Sequence, residues 1–523
     1  MPMLPKVLPC FLATVTVLWG QTHVLTANYG NERTNANLGE TILTTANVNP
    51  AGFGKLGAYA VDGQIYAQPL YVSGAAIAGK GVRNVVYVAT MHNSVYAFDE
   101  DLPGSAKPLW QVNLGPTLPT SVIRFREIDP EVGILSTPVI DLATNTIYLV
   151  AETYETGKSI FRLHALDLSD GSEKLGGPVV IRATANGSGE ASQDGKVAFD
   201  PVQHLQRPGL LLANNSIYIG FGSIRDRYPY HGWILAYDAM DLQKQKAVFN
   251  VTPEGGSGGI WQSGRGLAAD SNGNVYAITG NGDYDGFANF GESFVKLTPD
   301  LQVLDWFAPA DWRELSDVDY DLGSLGPVLV PGTNLIIGGD KANQIYLVDG
   351  ENMGHLGNAE SPGPQIFQPV SGSGLYNMAL WARDPNPIAY LVEAGDWTGA
   401  FRITGGAMEH EPFSVSSATS DWPFQGMAIS ADGGAAGSGI LWLTAGDHSL
   451  PSVPGILYAF DALDLTKLLW TSEMKPERDR MADFAKFATP TVANGRVYVP
   501  TFSNLLVVYG PIEEKPVDLS CGQ

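Results

Sequence analysis

The sequence predicts an all-β fold: an eight-bladed β-propeller closed by an N-terminal strand that completes the last blade. Three observations predict it. The first is composition: 60 Gly and 34 Pro among 523 residues, with only 16% charged against roughly 25% in ordinary domains, describe a turn-rich chain with a large core. The second is a recurring hairpin. Residues 136–150 read STPVIDLATNTIYLV, 206–220 QRPGLLLANNSIYIG, 264–278 GRGLAADSNGNVYAI and 488–499 ATPTVANGRVYV. In each, an apolar strand opens after Pro or Gly, an Asn/Asp/Gly turn comes next, and a second strand carrying an aromatic returns. Weaker copies begin at Gln68-Pro69, Gly326-Pro327, Asn377-Met378 and Gln425-Gly426, which brings the count to eight. The third is a pair of further strands downstream of the hairpins. SVYAFD (94–99), GWILAYD (232–238), QIYLVD (344–349) and ILYAFD (456–461) supply a third strand, and runs such as PLWQVNL (108–114) and KLLWTSE (467–473) a fourth. Four antiparallel strands repeating at roughly 50–70 residues describe radial blades with few exposed edges.

Taken along the chain, Lys6 and the apolar run Val7 to Trp19 have the length and polarity of an export signal, so residues 1–20 are expected to be removed and the protein to be periplasmic or extracellular. That run is shorter than the ~20 residues that span a bilayer. No transmembrane segment is expected in the mature chain. Cys10 lies inside the signal and only Cys521 remains, so no internal disulfide is expected. Residues 21–510 form a single propeller domain and 511–523 a C-terminal tail. The last hairpin and LLVVYG (505–510) supply three strands. KLGAYAV (55–61), from the other end of the domain, is expected to fill the missing outer position and lock the ring.

A net charge of −23 repels a phosphate backbone and excludes nucleic-acid binding. Nucleophile-elbow, zincin, P-loop and Rossmann motifs are absent from the sequence. Blade geometry then gathers the candidates. The residues that open the innermost strands, Gln68, Thr137, Arg207, Arg265, Gly326, Asn377, Gln425 and Thr489, face one axial funnel. Two arginines there suit an anionic or hydroxyl-rich ligand, or else pair with funnel carboxylates. Loops at the same end carry His92, Glu152, Arg225, Arg227, Tyr230, His231, Lys341, Asp396, Trp397, Asp447 and His448. Trp261, Trp312 and Trp422 either wall a pocket there or pack within blades. Asn281, Asp283 and Asp285 alternate in TGNGDYDG (279–286), as do Asp317, Asp319 and Asp321 in SDVDYDLGS (316–324). Oxygen ligands at such spacing hold a hard cation such as Ca²⁺, or serve as ordinary turn carboxylates.

The blade endings ALDLSDG (165–171), AYDAMDLQ (236–243) and ALDLTKLLW (462–470) resemble the docking motif of pyrroloquinoline-quinone (PQQ) repeats. That resemblance runs across residues 62–510. The phrases VDGQIYAQPLYV (61–72), NVVYVAT (84–90), RPGLLL (207–212) and GGIWQSG (258–264) are similar to secreted bacterial PQQ-repeat proteins without established activity. For the quinoprotein alcohol dehydrogenases of this repeat family the resemblance implies PQQ over a calcium ion. Asn281 of TGN would then be a metal ligand and Lys341 of DKANQIY (340–346) a quinone contact. Three positions depart from the pattern: Arg227 stands near the expected metal-binding Glu, Thr298 near the expected catalytic Asp, and Arg265 about where an aromatic floor is expected. The adjacent-cysteine disulfide cannot form.

The expected function is an exported propeller that binds a small polar or anionic ligand, a carbohydrate or a protein partner at its funnel, beside a degenerate quinoprotein site. Lys341, Arg207, Arg265, Gln425 and Asn377 are the candidate cofactor or ligand contacts, and Asn281, Asp283 and Asp285 the candidate metal ligands. One alternative is a PQQ- and calcium-dependent dehydrogenase oxidising an alcohol or sugar. Another is a non-catalytic scaffold of outer-membrane assembly. Catalysis is left open, and a monomer is expected.

Overall fold

The hairpin turns show why the chain folds as it does. Asn214–Asn215 and Asn494–Gly495 carry φ of 52°, 52°, 51° and 75°, the left-handed pair that lets two residues reverse a strand with the correct twist. They join Leu211–Ala213 to Ser216–Ser223 and Thr491–Ala493 to Arg496–Pro500, with Ala213 opposite Ser216 and Ala493 opposite Arg496. In this computed structural model the described residues are 22–105, 107–125, 127–357, 364–369, 374–392, 397–417, 424–446 and 453–512. The expected export signal, both cysteines, Asp396, Trp422, Asp447, His448 and residues 513–523 of the expected tail lie outside them.

Eight antiparallel blades succeed one another around an axis. Their innermost strands are Leu70–Ile77, Val139–Asp141, Leu211–Ala213, Ala268–Ala269, Leu325–Leu329, Met378–Trp381, Met427–Ser430 and Thr491–Ala493. Apolar residues on both faces of each blade pack against the next one. Phe161, Phe221 and Trp233 join blades two and three, and Phe294, Phe307 and Tyr346 join four and five. Phe53, Trp442 and Trp470 cluster between seven and eight. Among the described residues no helix is long and apolar enough to cross a membrane.

Phe53–Ala60 forms the outer strand of blade eight, antiparallel to Leu505–Pro511, with Tyr59 opposite Leu506. The expected closing strand is thus in place, two residues earlier at its start than the pattern suggested.

Upstream of it lies a feature that the repeat does not announce. Residues 23–37 thread the axis and touch every blade. His23–Val24 pairs with the inner strand of blade one. Ile140 donates its N–H to Leu25 O at 2.7 Å in blade two, and the Asn31 side chain donates to Leu212 O at 3.1 Å in blade three. Ala269, Leu329 and Leu380 donate to Asn31 O, Glu32 O and Thr34 O at 3.0, 2.9 and 2.7 Å. Ala36–Asn37 runs parallel to Met427–Ser430 in blade seven. The Tyr29 hydroxyl donates to Pro490 O and accepts from Val492 N–H, both at 2.8 Å, in blade eight. Each blade therefore satisfies a polar group of its inner edge with this one segment.

Candidate functional site

The axial segment floors the funnel. Asn28 donates its N–H to Gln68 Oε1 at 2.8 Å, and Ala27 and Asn28 line a small chamber with Gln68, Thr137, Arg207, Arg265, Asn377 and Thr489. The structure thus gathers six of the eight inner-strand openers. Gly326 packs beside them against Gln262 and Arg265, and Gln425 accepts the Asn377 side-chain amide at its backbone carbonyl, 2.9 Å away.

The two arginines divide in role. Arg265 is 2% exposed and turned into the axial segment, donating to Asn377 Oδ1 at 2.8 Å, to Met378 O at 2.9 Å and to Arg33 O. Burial, and then the charge of Arg33, push its guanidinium down to about 9. Its partners are amide and backbone oxygens. Arg207, 8% exposed, makes no hydrogen bond or ion pair with any described residue, and its guanidinium stands 5.4 Å from the centre of the Phe487 ring. Arg207 and Phe487 line both the chamber and a wider funnel above it, which holds about 680 Å³ and opens to solvent.

Sequence reasoning missed several walls of that funnel. Tyr376, Phe424, Lys486 and Phe487 each lie one to three residues before an inner-strand opener and line it together with Trp261. Their position in those entry loops is the signal that could have found them. Phe424 and Phe487 stand 4.9 Å apart, Tyr376 and Phe424 5.0 Å, and Trp261 and Tyr376 6.1 Å, forming one aromatic wall. Lys486 is 8% exposed, with its ammonium 6.0 Å from the Phe487 ring centre. No carboxylate or carbonyl among the described residues accepts from it. Burial, aided by Arg207, pushes its amine down to about 8.

The opposite wall holds Lys341. Its ammonium meets Asp321 Oδ2 at 2.5 Å and Asp319 Oδ1 at 2.8 Å, and lies 5.5 Å from the Trp261 ring centre. Burial works against the charge, but Asp321 and Asp319 outweigh it and hold the amine above its usual range. Asn281 completes this cluster, donating its N–H to Asp321 Oδ1 at 3.0 Å and its side-chain amide to Asp319 Oδ1 at 2.8 Å. Gly280 of TGN is required here, because a Cβ would collide with the Asp321 carboxylate.

Asp283 and Asp285 stand apart from Asn281 in function. Asp283 accepts the Gly256 N–H at 2.9 Å, and Asp285 caps its own turn through the N–H groups of Phe287, Ala288 and Asn289 at 2.8–3.0 Å. Among the described residues no three acidic, His or Cys side chains converge to hold a metal. Asn281 Oδ1 and Glu292 Oε1 are buried without partners. Burial and the charge of Asp321 raise the Glu292 carboxyl well above the usual range. Lys341 sets one positive charge against Asp319 and Asp321, and the expected ligands Asn281, Asp283 and Asp285 are engaged with three separate sets of partners.

Two other positions resolve differently from the sequence pattern. Arg227 turns away from the funnel, donating to Ile123 O and to Arg124 O at 3.0 Å, and its neighbour Asp226 lines the cavity, accepting from Ser223 at 2.7 Å and Tyr230 at 2.6 Å. Thr298 accepts the Gln302 N–H at 3.0 Å in a surface turn. Trp312 packs on Tyr284, 5.6 Å between ring centres, whereas Trp261 faces the funnel.

Glu152, expected in the mouth loops, is fully buried in the strand Thr146–Glu155 and accepts the Ser159 hydroxyl at 2.5 Å. Burial pushes its carboxyl up to about 8, with Ser159 opposing. Folded protein thus holds a proton there that the unfolded chain releases above about 4.5. The associated stability is complete below that value and is lost as pH climbs through 8. Glu152→Gln, neutral throughout, is expected to flatten this slope, gaining on the order of 3 kcal/mol relative to the parent between pH 5 and 8, read by thermal unfolding across pH.

No family model matches the chain, and no curated protein does. Solved structures do match. The quinohemoprotein alcohol dehydrogenase of Comamonas testosteroni is similar with a TM-score of 0.59 at 14% identity, over 96% of this chain and 82% of that one. The quinohemoprotein alcohol dehydrogenase ADHIIG of Pseudomonas putida HK5 gives 0.59 at 14%, over 93% and 80%. The chain has the quinoprotein-type propeller fold. At this identity the likeness concerns architecture. Within the quinoprotein-type fold, the eight-blade expectation and its all-β class hold in full.

Proposed function

We propose that this protein binds a small planar or aromatic carboxylate in its axial funnel. One observation carries the reading: two buried cations, Arg207 and Lys486, face an aromatic-lined cavity, and among the described residues no carboxylate is in ion-pair or hydrogen-bond contact with either, Glu127 acting on both only through space. Glu127, Asp226, Asp319 and Asp321 line the same cavity, yet none of them forms an ion pair with either cation, and two buried cations without a contact partner are costly unless a ligand supplies the counter-charge. The wall of Trp261, Tyr376, Phe424 and Phe487 offers stacking for a ring, and Arg207 offers a planar fork that matches a carboxylate. An exported location accompanies the reading, supported by the apolar run Val7 to Trp19.

PQQ, which the resemblance and the neighbouring enzymes suggest, is a planar polycarboxylate and belongs to this ligand class. When bound, such a quinone supplies two-electron redox chemistry. The expected calcium ligands Asn281, Asp283 and Asp285 are held by separate partners here, so dehydrogenase chemistry is not part of the proposal.

Titration calorimetry of the full chain against benzoate, benzenetricarboxylate, PQQ and glucose tests the reading. At least one aromatic carboxylate is expected to bind and glucose is not. Arg207→Gln is expected to weaken that binding about 10–100-fold, the loss of a charge-assisted pair. Binding of no anion in the panel, or equal binding by the variant, overturns the proposal.

A further inference from the structure

The carboxylate reading leaves unexplained why the second cation is a lysine shielded from every acceptor. Lys486 sits at the end of the wall that includes Phe487, in the same cavity as Arg207, and both cations stand over the one ring, at 6.0 and 5.4 Å from its centre. An ammonium intended only as a counter-charge gains from hydrogen-bond acceptors around it. Lys341 across the funnel has two carboxylates within 2.8 Å. Lys486 has none among the described residues, and Glu127, the acidic group that acts on it, is engaged by Arg225 at 3.1 Å. A desolvated lysine beside a second cation is the environment that yields a free amine at neutral pH. Burial and Arg207 lower its pKa to about 8, so roughly a tenth of the molecules carry the neutral amine at pH 7.

Resting on the carboxylate reading, the geometry points to a more specific ligand and a covalent step: Lys486 is a nucleophile that condenses with the ketone of a 2-oxo acid whose carboxylate is held by Arg207. In such an acid the two reacting functions are adjacent carbons, and the cavity sets a carboxylate receptor beside an amine. The amine lone pair attacks the carbonyl carbon, forming the C–N bond. The nitrogen proton passes to the former carbonyl oxygen to give a carbinolamine. The nitrogen lone pair then expels the hydroxyl, breaking the C–O bond, and the remaining nitrogen proton passes to it, so that water leaves and the imine remains. The balance is one ketone and one amine giving one imine and one water, with no oxidant or reductant. Tyr376, Phe424 and Trp261 line the space left for the remaining side chain, which favours an aromatic 2-oxo acid.

The test uses the full chain with phenylpyruvate and sodium cyanoborohydride, which reduces an imine to a stable secondary amine. Intact mass and peptide mapping read the product, and calorimetry without the reductant reads equilibrium binding. The expected result is one adduct per chain, at Lys486, absent from Lys486→Arg and from Lys486→Met. At the same ligand concentration, Arg207→Gln is expected to show at least a tenfold slower modification. Circular dichroism of each variant establishes that it is folded, and differential labelling of the unaltered chain in the presence of excess benzoate provides a second readout should a variant fail to fold. Protection of Lys486 by benzoate supports the assignment. If phenylpyruvate binds by calorimetry but modifies only surface lysines, or modifies Lys486 no faster than those, the covalent step is overturned while the carboxylate site stands. If it neither binds nor modifies, and no other carboxylate binds, both fall.

Discussion

Replacing Arg33 with Met is expected to lower the free energy of unfolding by about 3–5 kcal/mol. The guanidinium is fully buried in the axial segment and donates to Leu267 O at 2.7 Å, Thr26 Oγ1 at 2.9 Å, Ala27 O at 2.7 Å and Leu210 O at 3.2 Å. Its loss removes the side-chain donor from the buried Leu267 and Ala27 carbonyls, at about 1–3 kcal/mol each, while Leu210 O keeps the Thr26 hydroxyl at 3.4 Å. Removal of a buried cation without an ion pair offsets part of this. Burial already pushes Arg33 down to about 9, with Glu32 opposing. The unsatisfied acceptors outnumber the one relieved charge, so the net sign is destabilising. Arg33→Lys keeps the charge but not the fork, and is expected to recover only part of the loss. Guanidinium unfolding measures the change, and limited proteolysis of native protein should show new cleavage within residues 22–38. A variant as stable and protease-resistant as the parent would mean that the axial segment is not integral to the ring.

Tyr59→Ala is expected to cost a further amount of the same order, about 3–5 kcal/mol, by loosening the clasp between the first and last blades. Tyr59 belongs to the closing strand Phe53–Ala60, is fully buried, and reaches across to blade one. There its hydroxyl donates to Asp99 O at 2.6 Å and its ring stacks on Phe98 with 4.5 Å between centres. Truncation removes a large aromatic contact and leaves the Asp99 carbonyl short of a donor. Val82, 65% exposed on blade one, provides the control, with Val82→Ala expected to fall within about 0.5 kcal/mol of the parent. Hydrogen exchange would localise the effect, with protection falling first in Phe53–Ala60 and Leu505–Pro511. A cost under about 1 kcal/mol would count against this strand as the clasp.

The blades were legible because their information is local. STPVIDLATNTIYLV and ATPTVANGRVYV carry both the alternation and the turn residues of a hairpin, and the structure places Val139–Asp141 against Thr146–Glu155 and Thr491–Ala493 against Arg496–Pro500. The axial segment carries no such pattern. Asn28, Tyr29, Arg33 and Asn35 take φ of 58°, 72°, 62° and 56°, and for Tyr and Arg that conformation is held by partners some 180–460 residues away. Nothing in TANYGNERTNAN announces those partners. The funnel was legible as a ring of openers, because strand direction fixes where they lie. Which loop residue turns inward was not. Asp226 rather than Arg227 lines the cavity because the Ser223 and Tyr230 hydroxyls hold it there while Arg227 finds the carbonyls of residues 123 and 124. A shift of one position in a loop reverses the local charge, and only tertiary contacts decide it.

The hydrogen bonds from Tyr29 to Pro490 and Val492 span more than 460 residues, and this separation bears on the order of assembly during synthesis. The earliest-made stretch of the domain finds its partners blade by blade, and the Tyr29 contacts cannot form until the final blade leaves the ribosome. Until then the open flank of the first blade stays hydrated, and non-local pairing of this kind is slow. Completion is therefore a late event, in which the start of the domain is captured by its own finish and the ring is tied off last.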